Sequence, residues 1–154
     1  RFMLKVIVKY PKKEEERQII RMNNSGEFPT VNPVIKPEDI VRARSVVRDV
    51  YMDEKIERYI VDIVYATRTQ DDYGLGKIKD LISFGASPRA SISLSMASKA
   101  YAFIKRRGYV IPEDVRAVCN EVLRHRIGLT YEAEAENVTT EQIIAEVINA
   151  VQVP

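Results

Sequence analysis

Arg89 carries a positive charge in the first turn of an expected helix, where electrostatics favours the opposite sign. The local run is Gly85-Ala86-Ser87-Pro88-Arg89-Ala90. Ser87 is a residue type that caps helix starts. Pro88 suits the first helical position, because its φ is preset and its missing N–H is not needed there. Arg89 then takes the second helical position, at the positive end of the helix dipole. A cation there costs about 0.3–1 kcal/mol unless an anion answers it. The free N–H groups of such an end already attract anions. Two readings stand side by side: Arg89 reaches a phosphate docked from outside, or it is solvated or paired with a nearby acid.

Other chemistry is sparse. Gly74-Leu75-Gly76-Lys77 supplies the Gly-Lys of a phosphate loop, but Ile78 follows it and Asp71 stands where the first glycine belongs. Val50-Tyr51-Met52-Asp53-Glu54 has the form of an apolar strand ending in two acids, as in a magnesium-organising segment. Asp53 is better explained as the N-cap of the amphipathic helix behind it. No Ser/His/Asp set and no metal-ligand spacing is found, so no metal site is expected in this chain. The single cysteine, Cys119, falls at a core position of an expected helix and reads as a small buried hydrophobe. The single histidine, His125, sits between Arg124 and Arg126 at that helix's C-terminal end, where cations are favoured.

The elements that must position these residues are mostly helical. Residues 2–10 are apolar and β-branched, end at Pro11 and predict a strand. The chain opens at Arg1, so the expected partners of that strand lie upstream. The alternatives are short strands at residues 50–52 or 127–131. A helix is predicted over residues 13–22, with a proline-marked connector after it. Pro37-Glu38-Asp39 opens a second helix, with Ile40, Ala43, Val46 and Val47 on its core face. From Asp53 onwards Ile56, Tyr59, Ile60, Ile63, Val64 and Thr67 keep the helical period more clearly than any other segment. Residues 69–86 read as a mobile loop. The Ser87-capped helix runs to about residue 106, rich in small residues that allow close packing, and Gly108 is its expected stop. Pro112-Glu113-Asp114 opens the next helix, with Val115, Val118, Cys119, Val122 and Leu123 at core spacing. Residues 131–136 read as a solvated acidic loop. Thr139 and Gln142 form a capping box for a last helix bearing Ile143, Ile144, Val147, Ile148 and Val151.

Composition agrees with one globular domain. The 154 residues are 45% hydrophobic and 30% charged, long enough to bury a core. The net charge of +2 comes without a basic stripe, so nucleic acid is not an expected partner. One cysteine forms no internal disulfide, which fits a reducing compartment. No apolar run approaches the roughly 18 residues of a membrane span.

The chain resembles the C-terminal half of a MoxR-type AAA+ ATPase, a relative of magnesium-chelatase subunits. Arg1-Phe2 resembles the end of that family's Asp-Arg-Phe motif, and Tyr10-Pro11 with Glu14-Glu15-Glu16 resembles the proline and glutamates beyond that motif. Ala66-Thr67-Arg68, the Gly85 to Ala90 run, Tyr109-Val110 with Pro112-Glu113-Asp114-Val115, and Leu123-Arg124-His125-Arg126 complete the series in order. The resemblance implies a mainly α-helical lid bundle over residues 31–154. Residues 1–30 would be a strand-and-helix remnant of the nucleotide-binding core, and one short extra strand pair is allowed. It implies that Arg89 is the sensor-2 arginine, meeting the γ-phosphate of ATP together with Ser87. Arg1 would be an arginine finger acting on the neighbouring subunit, and Arg68 a weaker nucleotide or interface candidate. A finger of this kind contributes roughly 10³–10⁵ in rate in related nucleotidases. The implied cofactors are ATP and Mg, whose loops and metal ligands belong upstream, so the chain alone should not hydrolyse ATP. The implied setting is a cytoplasmic homo-oligomeric ring, a hexamer, that remodels or assembles a protein client. The alternatives are a stand-alone helical interaction module without catalysis, and a magnesium-chelatase-type motor.

Overall fold

The structure is a computed structural model, and it describes residues 2–26 and 28–154. Its helices form where caps and periodicity place them. Helix α1 (Lys13–Ser25) starts where the Glu15 carboxylate accepts the Lys12 N–H at 2.6 Å, and it stops at Gly26, whose φ of 68° a side chain would resist. Helix α2 (Pro37–Asp49) begins the same way, Asp39 accepting the Lys36 N–H at 2.9 Å. Asp53 caps α3 (Glu54–Ala66) by accepting the Lys55 N–H at 2.9 Å, which settles its role as a cap. Then come α4 (Gly76–Lys79), α5 (Pro88–Ile104), α6 (Pro112–Leu123), α7 (Tyr131–Ala135) and α8 (Thr140–Ala150). The expected box opens α8: the Thr139 N–H donates to Gln142 Oε1 at 2.7 Å, and Thr139 Oγ1 accepts the Gln142 N–H at 3.3 Å.

Helix α5 packs along α6, with α3 on both and α8 against α3 and α6. Ile56, Tyr59, Ile60, Ile63 and Val64 of α3 are all buried, as their period requires. They join Leu94, Val115, Val122, Ile143, Ile144 and Val147 in one cluster. Each such side chain contributes roughly 1.5–3 kcal/mol on full burial. Arg116 laces the bundle, donating from Nε to the Tyr59 hydroxyl at 3.0 Å and from Nη2 to the Ile148 carbonyl at 3.3 Å.

The structure corrects the sequence reading in several places. Residues 2–10 form no ladder among the described residues; the segment is tied to α6 where the Lys5 N–H donates to the Glu121 carbonyl at 2.8 Å. Strand propensity reports a fit to a pleated surface and does not supply the partner. Neither suggested downstream partner takes this segment. Tyr51 forms an isolated parallel bridge with Tyr109, while β1 (Ile82–Phe84) pairs antiparallel with β2 (Gly128–Leu129). At Gly128 the Phe84 ring fills the place of a side chain, since an added Cβ would lie 2.2 Å from Phe84 Cε1. Residues 69–86 are ordered and not a loose loop: a 3-10 turn (Gln70–Tyr73), α4 and β1 bury Gln70, Leu75, Ile78 and Ala86. Residues 131–136 contain α7, which Thr130 caps by accepting the Ala133 N–H at 3.3 Å. Helix α5 ends at Ile104, and the left-handed residue after it is Arg106 (φ 60°), not Gly108. The expected core face of α2 is not buried. Ile40 and Val46 are exposed, and Ile40, Ala43 and Val47 line an open groove of about 1050 Å³ against Met96, Ala100 and Phe103 of α5.

Candidate functional site

The start of α5 is fixed by a contact nineteen residues away in sequence. Thr67, fully buried at the end of α3, accepts the Ala86 N–H on its hydroxyl at 2.9 Å and donates that hydroxyl to the Val64 carbonyl at 2.7 Å. Gly85 lies so close to α3 that an added Cβ would sit 2.3 Å from the Thr67 carbonyl oxygen. The backbone entering α5 is therefore seated on the end of α3. Ser87 occupies the cap position with extended backbone, φ −80° and ψ 168°, but its hydroxyl makes no capping bond. Its carbonyl accepts the Ala90 N–H at 2.8 Å instead. The expected side-chain cap is thus absent, which leaves first-turn N–H groups of α5 without that partner.

Arg89 stands at the second position of α5, exposed, with no hydrogen bond or ion pair among the described residues. The alternative in which a neighbouring acid neutralises it is not realised there. Its near neighbour is another cation. Arg126, just past α6, donates from Nη2 to Ser93 Oγ at 3.2 Å, and Ser93 lies one helical turn beyond Arg89 on the same face. Arg126 is half-buried and forms no ion pair among the described residues. Burial, and then the charge of Arg89, pull its guanidinium below the ordinary value. Two guanidiniums beside open helix N–H groups, with no carboxylate between them, form an electropositive corner suited to an anion.

The other sequence candidates have different fates. Arg1 lies outside the described residues. Arg68 is exposed, with its guanidinium 4.7 Å from the centroid of the Tyr65 ring. His125 is structural in its contacts: Nε2 lies 3.0 Å from the Phe2 carbonyl oxygen, which also accepts from Arg126 Nη2 at 2.8 Å. Cys119 is buried on α6, and burial pushes its thiol up to about 12. Arg107 and Asp114 hold the turn between α5 and α6. Asp114, 1% exposed, accepts Arg107 Nη1 at 2.7 Å, a second bond from Nη2, and the Ile111 N–H at 2.9 Å. Reading the sequence missed Thr67 as the seat of α5 and Arg126 as the partner of Arg89. Thr67 was visible as a polar residue at a core position and as part of the Ala66-Thr67-Arg68 run, and Arg126 only as one member of the Arg-His-Arg run.

Residues 77–147 match the AAA lid domain. "Chaperone MoxR1" of Mycobacterium tuberculosis is 37% identical over 155 residues, an alignment that covers 100% of this chain and 41% of that protein. "Uncharacterized protein YeaC" of Bacillus subtilis is 36% identical over 155 residues, covering 100% of this chain and 46% of that protein. A crystal structure of a "putative ATPase" from Cytophaga hutchinsonii superposes with a TM-score of 0.93 at 39% identity, covering 100% of this chain and 47% of that one. The chain thus spans about half the length of the relatives it matches. Residues 77–147 thus match an AAA lid domain, and the chain along its whole length is similar to part of a MoxR chaperone and of a putative ATPase.

Proposed function

We propose that this chain is the lid part of an AAA+ ATPase, a chaperone-like motor that remodels or assembles protein complexes. Residues 1–30 belong to its nucleotide-binding core and residues 31–154 to its lid. Arg89 is the sensor-2 arginine, reading the γ-phosphate of ATP held by the same subunit, with Ser87 at the cap beside it. Arg1 is a finger directed at the nucleotide of a neighbouring subunit in a cytoplasmic ring of six. The observation that carries this reading is Arg89 itself: exposed, first-turn, beside Arg126, and without an acidic partner among the described residues.

A phosphate fits this donor set. Arg89 offers a guanidinium fork, and the open cap offers backbone N–H groups, all donors and all favouring negative charge. Bound ATP supplies the phosphoryl group whose transfer to water drives the motor. Arg89 binds and orients one end of it, and gains or loses that contact as the nucleotide changes. The lid's preferred position shifts accordingly, because only a contact that differs between states moves an equilibrium. Among the described residues no group of three His, Cys, Asp or Glu side chains could hold a metal ion.

The test is ATP turnover by the full-length protein carrying Arg89→Ala, with its circular dichroism spectrum and melting midpoint as controls. The substituted site is exposed, so the fold is unchanged while turnover falls by about tenfold or more, one 1.4 kcal/mol step. Turnover within about twofold of the parent refutes the sensor assignment.

A further inference from the structure

Helices α2 and α5 lie together and leave a trough between them. Ile40, Ala43 and Val47 of α2 line it with Met96, Ala100 and Phe103 of α5, around about 1050 Å³ of open space. Ile40, Met96 and Phe103 are exposed, so this apolar floor stands in water. Each helix supplies a stripe that repeats over seven residues, roughly 10 Å or two helical turns at 1.5 Å per residue. Met3 and Met96 add flexible thioethers, which adapt to side chains of irregular shape. A small molecule lying here keeps one side wet, whereas a helix brings its own polar side to close the trough. The walls are basic. Arg44 and Arg48 stand one turn apart on α2, both exposed, and neither guanidinium has a hydrogen bond or ion pair among the described residues. Like charges at that spacing oppose each other on a bare helix. Lys99 of α5 adds a third cation, donating to the Arg48 carbonyl at 3.0 Å. The acid in the lining, Asp39, is already engaged: its carboxylate holds the Arg42 guanidinium and accepts the Lys36 N–H at 2.9 Å. The trough therefore joins an apolar floor to cations that no acid answers among the described residues.

We propose that this trough docks an acidic amphipathic helix of a partner protein. The partner's apolar stripe, repeating at i, i+3 or i+4 and i+7, fills the floor. Carboxylates beside that stripe meet Arg44 and Arg48, whose forked guanidiniums match carboxylate geometry. Two guanidiniums one turn apart ask for two carboxylates one turn apart, so the pairing fixes the register of the helix as well as the sign of its charge. A second copy of this chain fits less well. Its exposed acidic helix start is on α1, where Glu15 already accepts the Lys12 N–H at 2.6 Å and Glu14 lies 3.6 Å from Arg17. Docking of this kind does not rest on the motor reading, since it serves the client of a motor and the ligand of a plain interaction module alike.

The experiment measures binding of two fluorescein-labelled peptides to the full-length protein by fluorescence anisotropy, without nucleotide. One peptide is an amphipathic helix of about 15 residues with leucines on one face and glutamates flanking them; the other carries lysine in place of each glutamate. The acidic peptide binds at least about tenfold tighter than the lysine peptide, and its affinity falls as salt rises from about 50 to about 300 mM. Charge reversal by Arg44→Glu with Arg48→Glu weakens the acidic peptide about tenfold or more and turns the preference toward the lysine peptide. Met96→Asp, which puts a charge on the floor, weakens the acidic peptide by a similar factor. Melting midpoints report folding of each variant. Arg44 and Arg48 are exposed, so the charge reversal decides even where Met96→Asp does not fold. Equal binding of the two peptides, or an acidic-peptide affinity unmoved by the charge reversal, overturns the proposal. Absence of binding at about 100 μM also overturns it, and means that another part of the full-length protein covers the trough. Self-association that Met96→Asp abolishes overturns it in favour of a second copy as the occupant. No ATP is present in the assay, so a refuted sensor role for Arg89 leaves these outcomes as they are.

Discussion

Removing the Asp114 carboxylate tests whether the α5–α6 turn depends on a buried ion pair. Asp114 is 1% exposed, and the Arg107 side chain facing it is 23% exposed. The carboxylate accepts two bonds from Arg107 and one from the Ile111 N–H. Each charge-assisted bond is worth roughly 1.5–3 kcal/mol and the backbone bond about 1 kcal/mol. Against these stands the cost of drying a carboxylate, and the partial exposure of Arg107 screens the pair. Asp114→Ala is therefore expected to destabilise the chain by about 3 kcal/mol, the low end for breaking a buried pair. Arg107→Ala leaves a dry carboxylate with only the Ile111 N–H and costs about as much. The double variant strands no charge, so it costs about the same as either single and not their sum. The coupling expected is about 2–3 kcal/mol. Urea unfolding of the four proteins, monitored by circular dichroism, measures it. Single variants each costing under about 1 kcal/mol, or additive in the double, would refute the reasoning.

Two further predictions concern buried groups near the same helices. Burial raises the Cys119 thiol to about 12, so the folded protein holds that proton more tightly than the unfolded chain does. Its contribution to stability is full below the ordinary thiol value and is lost as the pH rises through about 12, a loss that Cys119→Ala lacks when unfolding midpoints are compared across alkaline pH. Alkylation of native Cys119 at mildly alkaline pH is correspondingly slow, and modification as fast as in denaturant would contradict the assignment. Thr67→Val keeps the shape of the side chain but strands the buried Ala86 N–H and the Val64 carbonyl. It should cost about 1–3 kcal/mol in a denaturation titration. It should also loosen the entry to α5, read as faster amide exchange at Ala86, and unchanged exchange there would rule out the seating role.

The sequence carried the helices because their signals are local. The spacing of Ile56, Tyr59, Ile60, Ile63 and Val64 requires one buried face on α3, and all five are buried. Asp53 and Thr139 with Gln142 mark helix starts through bonds spanning two or three residues. Pro88 and Arg89 were likewise legible as the opening of α5, with a cation where an anion belongs. Short elements were less legible, since α4, α7 and the strand pair are too brief to show a period and owe their order to burial of Leu75, Ile78, Ala86 and Ala133.

Partnership between distant segments is a different matter. Phe2 and Arg126 lie 124 residues apart, and Thr67 and Ala86 lie 19 apart. No periodicity links such pairs; they meet only once the bundle brings α3, α5 and α6 together. The same holds for what stays uncovered. The apolar face of α2 looks like core in sequence and lines an open groove, because a helical stripe states that a face prefers burial, and only packing decides whether anything covers it. Arg89 obeys that rule as well: its position on a helix is a local fact, but its lack of an acidic neighbour among the described residues depends on which surfaces the fold turned toward it.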